Sequence, residues 1–317
     1  LKSWMIYLKT YLMGILMKHK SVLLEESIDG LNIKPDGKYV DCTLGYAGHS
    51  SEILKKLGTK GFLFAFDQDM EAVNYSTKKL ESISNNFKIF DTNFKNIKNC
   101  IDTKVDGILF DLGVSSPQLD DASRGFSFHN DARLDMRMDK RQKLSAYEVV
   151  NEYSYEKLID ILFNYGEEAN AKSIAKAIIN NRPIETTLEL AEIIKENVPI
   201  SYRNKSNPSR KTFQAIRIEV NNELGILENT MLDAFDLLNS GGRLVVITFH
   251  SLEDRIIKNI FKRLTSDDEL SKKLPVVPDE MKAKAKLITK KPLIASNKEL
   301  EENNRSRSAK LRIIEKI

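Results

Sequence analysis

The sequence predicts an α/β protein in which a doubly wound parallel sheet carries an inserted α-helical domain. Over the first third of the chain, four short apolar stretches alternate with helical patterns. Such alternation is typical of βαβ units, which build parallel sheets covered by helices on both faces. The alternation stops at Val114, and helical patterns then follow one another until an apolar run that begins at Gly241.

The first strand, Lys38–Thr43, follows the turn Asp36-Gly37 and leads into a second turn that contains Gly45 and Gly48. The second strand, Gly61–Asp67, is continuously apolar and is therefore expected at the centre of the sheet. The remaining predicted elements of this part are strands Phe87–Asp91 and Asp106–Gly113, and helices Ser21–Leu31 and Met70–Leu80.

Residues 115–145 show no period, and an irregular segment of this length inside a compact domain is usually functional. Ser251 is predicted to cap a late helix, with Asp254 as its capping-box partner. The other predicted elements are helices Tyr155–Tyr165, Glu167–Asn181, Leu188–Asn197 and Phe213–Asn239, and strands Gly241–Thr248, Lys286–Lys290 and Leu311–Lys316.

These elements divide the chain into three regions. We predict a discontinuous sheet domain over residues 17–119 and 211–317, with a helical substrate-recognition domain inserted over residues 120–210. Residues 1–16 are expected to be an extension ahead of a domain that starts at Met17, because they are too short and too charged for a membrane span.

Composition restricts the class of protein further. With 41% hydrophobic and 30% charged residues the chain is an ordinary globular protein, and its net charge of +4 means that nucleic-acid binding has to be argued from local patches. The two cysteines, Cys42 and Cys100, supply neither a disulfide framework nor a metal cluster, and they indicate a reducing compartment. No metal is expected.

The turn after the first strand is the first candidate site. A strand, a glycine turn and a helix in this order bring backbone N–H groups towards a ligand. Asp67 follows about 20 residues later, the offset at which an acid accepts hydrogen bonds from a ribose. The turn lacks G-x-G-x-x-G, which disfavours a nicotinamide or flavin dinucleotide, and Asp41 with Gly45, Ala47 and Gly48 resembles the loop of class I methyltransferases. An ordinary βαβ turn without a ligand remains the alternative.

Further polar residues follow the other strands. Ligands of open α/β sheets bind beyond the carboxyl ends of the strands, where Asp111–Gln118 and Phe249–Ser251 are predicted to lie. A glycine directly after the acidic strand end allows a ligand to approach closely. Phe94 is expected either against an adenine ring or as an ordinary core aromatic.

Several longer motifs, in order, resemble those of one bacterial family, the ribosomal RNA small subunit methyltransferase H family. Members methylate the N4 amine of a cytidine in the decoding centre, at the P site of 16S rRNA. The resemblance extends from Met17 to the end of the chain, and it rests on residues 19–24, 111–121, 124–128, 134–138, 213–217, 249–255 and 305–308.

The resemblance implies a cytoplasmic, S-adenosylmethionine-dependent enzyme that acts on 16S rRNA in the small ribosomal subunit, without a membrane. It leaves the oligomeric state open, a homodimer included. It also implies a Rossmann-like class I methyltransferase sheet with a helical insertion. The cofactor-binding positions that it implies are Ala47, Gly48, His49, Asp67, Phe94, Asp111 and Gln118.

The chemistry of an exocyclic amine indicates which group is needed. The N4 lone pair of cytosine is delocalised into the ring, so an acceptor has to stabilise the positive charge that develops on the amine. Asp111 is the candidate catalytic residue. Clusters of cations with Ser or Asn are typical of phosphate-binding surfaces. The candidate RNA contacts are Arg124, Arg133, Arg137, Arg203, Lys205, Arg210, Lys211, Arg305, Arg307, Lys310 and Arg312.

Two other functional classes stay open at this point. One is an rRNA-binding assembly factor without catalytic activity, although the acids Asp67 and Asp111 argue against it. The other is a nucleotide-binding oxidoreductase, which the missing dinucleotide fingerprint disfavours. Cofactor binding measured by calorimetry separates the first from an enzyme, and the absorbance of a bound nicotinamide or flavin reveals the second.

Overall fold

The structure is a computed structural model, and it describes residues 21–204, 207–268, 271 and 278–317. The predicted extension 1–16, the motif residues 17–20 and Lys205 lie outside the described residues. The chain divides into two compact units. A sheet unit contains the described residues up to Gly113 and from Leu227 onwards, and a helical unit comprises Val114–Ile226.

A seven-stranded sheet with the order β3-β2-β1-β4-β5-β7-β6 forms the sheet unit. Strands β1 to β5 run parallel, whereas β7 is antiparallel to both β5 and β6. The chain order reverses between β1 and β4, which makes this pair of strands a switch point, where ligands bind. The strands are β1 Lys38–Asp41, β2 Phe62–Asp67, β3 Phe87–Asp91, β4 Val105–Asp111, β5 Leu238–Thr248, β6 Ala285–Leu287 and β7 Lys310–Lys316.

Helices cover the sheet because their apolar sides pack on its central strands. Ile53 and Leu54 are buried in the same apolar core as Leu63 and Val245. Asp69 caps the helix after β2 by accepting a hydrogen bond from the N–H of Glu71. The helices of this unit are α1 Leu24–Leu31, α2 Gly48–Lys56, α3 Met70–Glu81, α4 Ile97–Cys100, α12 Leu227–Leu237, α13 Ser251–Leu264 and α14 Asn297–Glu302.

The helical unit has an apolar core of its own, with Ile174, Leu190 and Phe213 among its buried residues. Capping boxes start three of its helices, at Ser115, Ser145 and Thr186, and so fix the direction in which each helix leaves its loop. Its helices are α5 Ser116–Asp120, α6 Ala146–Glu152, α7 Tyr155–Asn164, α8 Ala171–Asn180, α9 Thr187–Glu196, α10 Ile200–Arg203 and α11 Ser209–Asn221.

Two local predictions are wrong. The single helix expected over Phe213–Asn239 is two helices, because Asn222 adopts a left-handed conformation (φ 49°) that ends α11. Helix α13 is preceded by His250 as its N-cap residue, and it is the Glu253 carboxylate that accepts the N–H groups of Phe249 and His250. Asp254 instead forms ion pairs with cations of β7.

Within the described ranges, none of the helices combines the length and the apolar character needed to cross a lipid bilayer.

Gly107 provides a test of the packing at the centre of the sheet. A Cβ atom at this position would lie 2.9 Å from the ring of Tyr39 and 3.0 Å from Leu31. Gly107→Ala should therefore lower the free energy of unfolding by about 1–3 kcal/mol, as overpacking of a core does. Denaturant titration measures the change, and Asp102→Ala, at an exposed loop position, serves as the control. An unchanged free energy of unfolding would contradict the packing of Tyr39 on Gly107.

Candidate active site at the carboxyl edge of the sheet

The turn between β1 and α2 is built around the buried carboxylate of Asp41. One oxygen accepts from the N–H of Thr43 at 3.1 Å, and the other accepts from the hydroxyl of Ser50 at 2.6 Å. Helix α3 holds the same turn from the other side, because Ser76 donates to the carbonyl of Gly45 and Lys79 donates to that of Tyr46. These bonds fix the positions of the backbone groups that face the carboxyl edge.

Ala47 occupies the position where a glycine is expected in this type of loop. It has a left-handed conformation (φ 55°) and is fully buried just before helix α2. An L-residue in this conformation costs roughly 1–2 kcal/mol, a cost that glycine avoids. The hydrogen bonds around the turn hold it in this conformation although the residue is alanine and not glycine. Ala47, Gly48 and His49 therefore lie together at the amino-terminal end of α2.

Asp67 ends β2 and is tied to the same turn. One carboxylate oxygen accepts from the N–H of Gly45 at 2.8 Å, and the other accepts from the N–H of Asp69 at 2.9 Å. A carboxylate offers about four lone-pair sites, so the side chain can still accept ribose hydroxyls. Burial, together with the nearby charges of Asp69 and Asp41, raises the pKa of Asp67 to about 6 against two hydrogen bonds that lower it.

Asp111 ends β4, the neighbour of β1. Its backbone N–H donates to the hydroxyl of Thr43 at 2.7 Å, and its Oδ2 lies 3.7 Å from His49 Nδ1, beyond hydrogen-bonding distance. The other oxygen, Oδ1, is buried and has no hydrogen-bond partner among the described residues. Burial, followed by the charges of Asp41 and Glu253, raises the pKa of Asp111 well above its ordinary value.

His49 is buried, and its Nε2 lies 3.2 Å from the carbonyl oxygen of Val22. Burial lowers its pKa, although the charge of Asp41 opposes the shift, so the ring is held in its neutral form. A proton on Nε2 can then be donated to the carbonyl, which leaves Nδ1 as an acceptor on the side of Asp111. The imidazole therefore adds no positive charge to this edge.

The other predicted cofactor residues are placed as follows. Phe94 is partly exposed after β3, with its ring edge-on to that of Phe110 at 5.5 Å. Gln118 belongs to the helical unit, where its side-chain oxygen accepts from the N–H of Ser115 at 3.0 Å. The sheet unit thus places Ala47, Gly48, His49, Asp67, Phe94 and Asp111 at the carboxyl ends of strands β1 to β4.

Several of the predicted RNA contacts are engaged within the protein. The guanidinium of Arg124, a buried residue, donates to the carbonyls of Arg137 and Met138, which argues against a phosphate contact. Arg137 forms a two-bond ion pair with Asp135. Arg203 donates to the carbonyls of Glu196 and Val198.

The remaining cations differ in how far they are engaged within the protein. Arg133 is exposed, with its guanidinium 5.6 Å from the ring centre of Tyr147. Arg210 is exposed at the start of α11, and the ammonium of the next residue, Lys211, donates to the carbonyl of Glu167. In the sheet unit, Arg305 and Arg307 lie on one short 3₁₀ turn, and Lys310 and Arg312 both bind Asp254.

Thr43, Ser76 and Lys79 support the site, and sequence reasoning did not single them out. Thr43 connects the ends of β1 and β4, while Ser76 and Lys79 reach the turn from more than 30 residues away. Only the acid at Asp41 gave a local signal, because it stands at a strand end. The partners of the other residues are set by the tertiary fold.

The chemistry of the edge fits a cationic cofactor. S-adenosylmethionine carries a sulfonium and an ammonium group, and the residues that face the edge are the acids Asp41, Asp67 and Asp111 beside a neutral His49. The unpartnered oxygen of Asp111 is a buried acceptor that lacks a donor, and such groups are costly unless a ligand satisfies them. The residues present therefore fit this cofactor.

The chain is similar to known proteins over nearly its whole length. The model of the MraW methylase family matches residues 16–317. The Exiguobacterium sibiricum protein named "Ribosomal RNA small subunit methyltransferase H" is 54% identical over 310 residues, which cover 95% of this chain and 99% of the relative. The protein of that name from Mycoplasma mycoides subsp. mycoides SC is 56% identical over 306 residues, covering 94% and 99% of the two chains.

The sheet, its antiparallel seventh strand and the acidic carboxyl edge define a class I methyltransferase that uses S-adenosylmethionine. The chain belongs to the MraW methylase family. The predicted fold class, family and cofactor are thereby confirmed.

Asp67 tests the cofactor site directly. Asp67→Ala should weaken S-adenosylmethionine binding by one to two decades, since a charge-assisted hydrogen bond contributes roughly 1.5–3 kcal/mol. Calorimetry measures the dissociation constant, and circular dichroism checks that the fold persists. Glu81→Ala, at the exposed far end of α3, is the matched control. A dissociation constant that does not change in the Asp67 variant would remove Asp67 from the site.

The raised pKa of Asp67 predicts a pH dependence of binding. Below pH 6 the ligand-free protein holds a proton on Asp67, which must leave before the carboxylate can accept two ribose hydroxyls. Affinity should therefore rise about tenfold from pH 5 to pH 7, the change that linkage gives for one group with a pKa near 6. Calorimetric titrations across this range measure it. The same affinity at both pH values would contradict the prediction, and Asp67→Asn should remove the part of the dependence that this group contributes.

Proposed function

We propose that this methyltransferase modifies the N4 amine of a cytidine in 16S rRNA, within the decoding centre of the small ribosomal subunit. The rRNA substrate is supported by two relatives named as small-subunit rRNA methyltransferases, which match this chain over nearly their whole length. The observation that carries the proposed chemistry is the buried, unpartnered oxygen of Asp111 at the carboxyl edge.

In the proposed mechanism the chain's own residues position the cofactor and accept a hydrogen bond. S-adenosylmethionine supplies an electrophilic methyl group when bound. Asp67 would hold the ribose, and the turn at Ala47–His49 would face the cofactor. With a cation held at this edge, Asp111, whose pKa is raised by burial, would be present as a carboxylate and would accept a hydrogen bond from the N4 amine. The bond grows stronger as positive charge develops on the amine, so it favours the transition state.

Cys42, the cysteine that follows β1, is poorly suited to the alternative chemistry of ring-carbon methylation, which needs a cysteine nucleophile. Cys42 is buried, and burial raises the pKa of its thiol well above the usual range. A thiol without thiolate character is a poor nucleophile. Methylation of an exocyclic amine does not require a cysteine thiolate, because the amine itself attacks the methyl group.

For RNA contact we retain the exposed cations, namely Arg133 and Arg210 of the helical unit and Arg307 of the sheet unit, together with the partly buried Arg305 on the same turn as Arg307. Phosphate contacts set the position of an RNA, while an unstacked base enters the site.

The proposed setting is the cytoplasm, where the small subunit is assembled. The homodimer stays a prediction.

The test of this function uses the full chain with isotopically labelled S-adenosylmethionine and small ribosomal subunits that lack the modification. The expected product is labelled N4-methylcytidine, identified by mass spectrometry of nucleosides and mapped to one position by nuclease fragments. Label on a ring carbon or on another base would overturn the proposed reaction. Absence of any transfer, with cofactor binding intact, would favour the non-catalytic assembly factor.

Asp111→Asn provides the corresponding prediction for the mechanism. The amide keeps the shape of the side chain but is a weaker, neutral acceptor, so kcat should fall about 10²–10³-fold, as for other preorganised electrostatic contacts. The dissociation constant of the RNA should stay the same, because the contact strengthens only in the transition state. Asp106→Asn, at the opposite end of β4, controls for effects on stability. If the two variants have equal kcat values, Asp111 is not the acceptor.

A further inference from the structure

A second candidate site lies in the sheet unit, beside the carboxyl edge. A cavity of about 270 Å³ opens among residues that follow β5 and residues that precede β7. Its lining contains two cations and two hydroxyls in addition to His250: Phe249, His250, Ser251, Ile294, Arg307, Ser308, Ala309 and Lys310. None of these side chains is needed for the cofactor contacts described above.

Arg307 is the cation on this wall that is left without a counter-charge. It is exposed, and no carboxylate pairs with it in the part of the chain that the structure describes. Lys310 also lines the cavity, but its ammonium lies 3.0 Å from Asp254, which Arg312 approaches to 2.8 Å as well. One acid thus faces two cations, so this group adds net positive charge next to Arg307.

A second nearby acid of the sheet unit, Glu253, is turned towards the backbone. Its carboxylate accepts the N–H groups of Phe249 and His250, and it lies 3.1 Å from the Nε2 atom of His250. Glu253 is 1% exposed, so its charge does not meet a ligand in the cavity. Within the sheet unit, the positive charges of Arg307, Lys310 and Arg312 outnumber the negative charges of Glu253 and Asp254 by one, and a net positive charge attracts anions.

The turn that carries Arg307 is fixed before any ligand binds. It is a 3₁₀ turn, Asn304–Ser308, and its middle residue, Ser306, is 1% exposed and donates its hydroxyl to the carbonyl of Asn303 at 2.7 Å. Ala309 is buried directly after it. A guanidinium on an ordered turn loses less freedom on binding than one on a flexible tail.

The cavity is small and open, which bears on the class of ligand that it can take. Pockets that enclose small molecules usually measure about 300–1,000 Å³, and this cavity is smaller. One of its walls includes Ile294, which is 68% exposed, so the cavity is open at its side. An open cavity of this kind suits one segment of an extended polymer that passes through it better than it suits a small metabolite.

Its place in the fold relates the cavity to the proposed reaction. Ile247 of β5 is paired in register with Asp111 of β4, and Phe249 follows two residues later. A Cβ atom at Gly113 would lie 3.8 Å from the Phe249 ring, so the lining of the cavity starts beside the turn after Asp111. An RNA strand with one base at Asp111 therefore passes close to this cavity.

We infer that this cavity is a subsite for a phosphodiester of the RNA strand that flanks the methylated nucleotide, with Arg307 as the residue that pairs with the phosphate. The inference rests on the proposed function, because it takes single-stranded RNA as the substrate. Guanidinium groups suit this contact because their parallel N–H donors match the phosphate oxygens.

The test measures how salt affects the binding of a fluorescein-labelled oligocytidylate of about ten nucleotides to the full chain. For single strands each phosphate contact contributes a slope of about 0.7 in a plot of log affinity against log salt. Arg307→Ala should lower the slope by about 0.7, which corresponds to about eightfold weaker binding at ~50 mM salt and about threefold at ~200 mM. Arg307→Lys should keep most of the slope.

Lys262→Ala is the matched control, because it removes one exposed positive charge at the far end of α13. It should leave the slope unchanged. A slope that does not change in Arg307→Ala, or that falls equally in the Lys262 variant, would overturn the subsite. Ser308→Asp adds a negative charge to the wall without removing Arg307, and it should also weaken binding. Unchanged binding in that variant would count against the subsite too.

Methylation of small subunits by the unaltered protein separates the two proposals. If N4-methylcytidine forms but the slope of Arg307→Ala matches that of the unaltered protein, the subsite is wrong and the proposed function stands. If no methylcytidine forms while the slope falls as expected, the subsite is supported and the proposed reaction is wrong. Thermal melting of each variant confirms that the fold is intact.

Discussion

The buried carboxylate of Asp41 is the contact on which the arrangement of the site depends. It accepts from the backbone of Thr43 and from the hydroxyl of Ser50, so the strand end, the turn and the first residues of α2 are joined at one group. The hydroxyl of Thr43 is 3.4 Å from the same carboxylate, and it accepts the N–H of Asp111. Through Thr43, the Asp41 side chain therefore connects the ends of β1 and β4.

The same charge also shapes the electrostatics of the edge. Its negative charge contributes to the raised pKa values of Asp67 and Asp111, and it opposes the lowering of the pKa of His49. Keeping several acids close together costs free energy in the empty protein, and a bound cation removes much of that cost. The ligand-free protein is therefore less stable because of these acids, and the loss is located where the ligand binds. This balance suits a cofactor whose reactive group is a sulfonium.

The parts of the fold that were predictable from sequence are those with a local signal. The continuous apolar run of β2 and the helical period of α3 predicted both elements nearly to their ends. The break between α11 and α12 was not found, because helical periodicity continues through Asn222 while its backbone turns left-handed. The bond from Thr43 to Asp111 spans 68 residues, and no local pattern encodes such a contact.

The candidate RNA contacts show the same limit at the level of single side chains. Arginines near irregular segments look alike in sequence, but an irregular backbone leaves carbonyl groups that no helix or sheet satisfies, and a buried carbonyl needs a donor. Arg124 and Arg203 supply such donors, at Arg137–Met138 and at the end of α9 respectively. The positions of these two arginines are therefore explained by the backbone carbonyl groups that they satisfy, and RNA binding is not needed to explain them. Arg307 is available for a nucleic acid because it is exposed on a turn whose backbone is already ordered, beside the buried hydroxyl of Ser306.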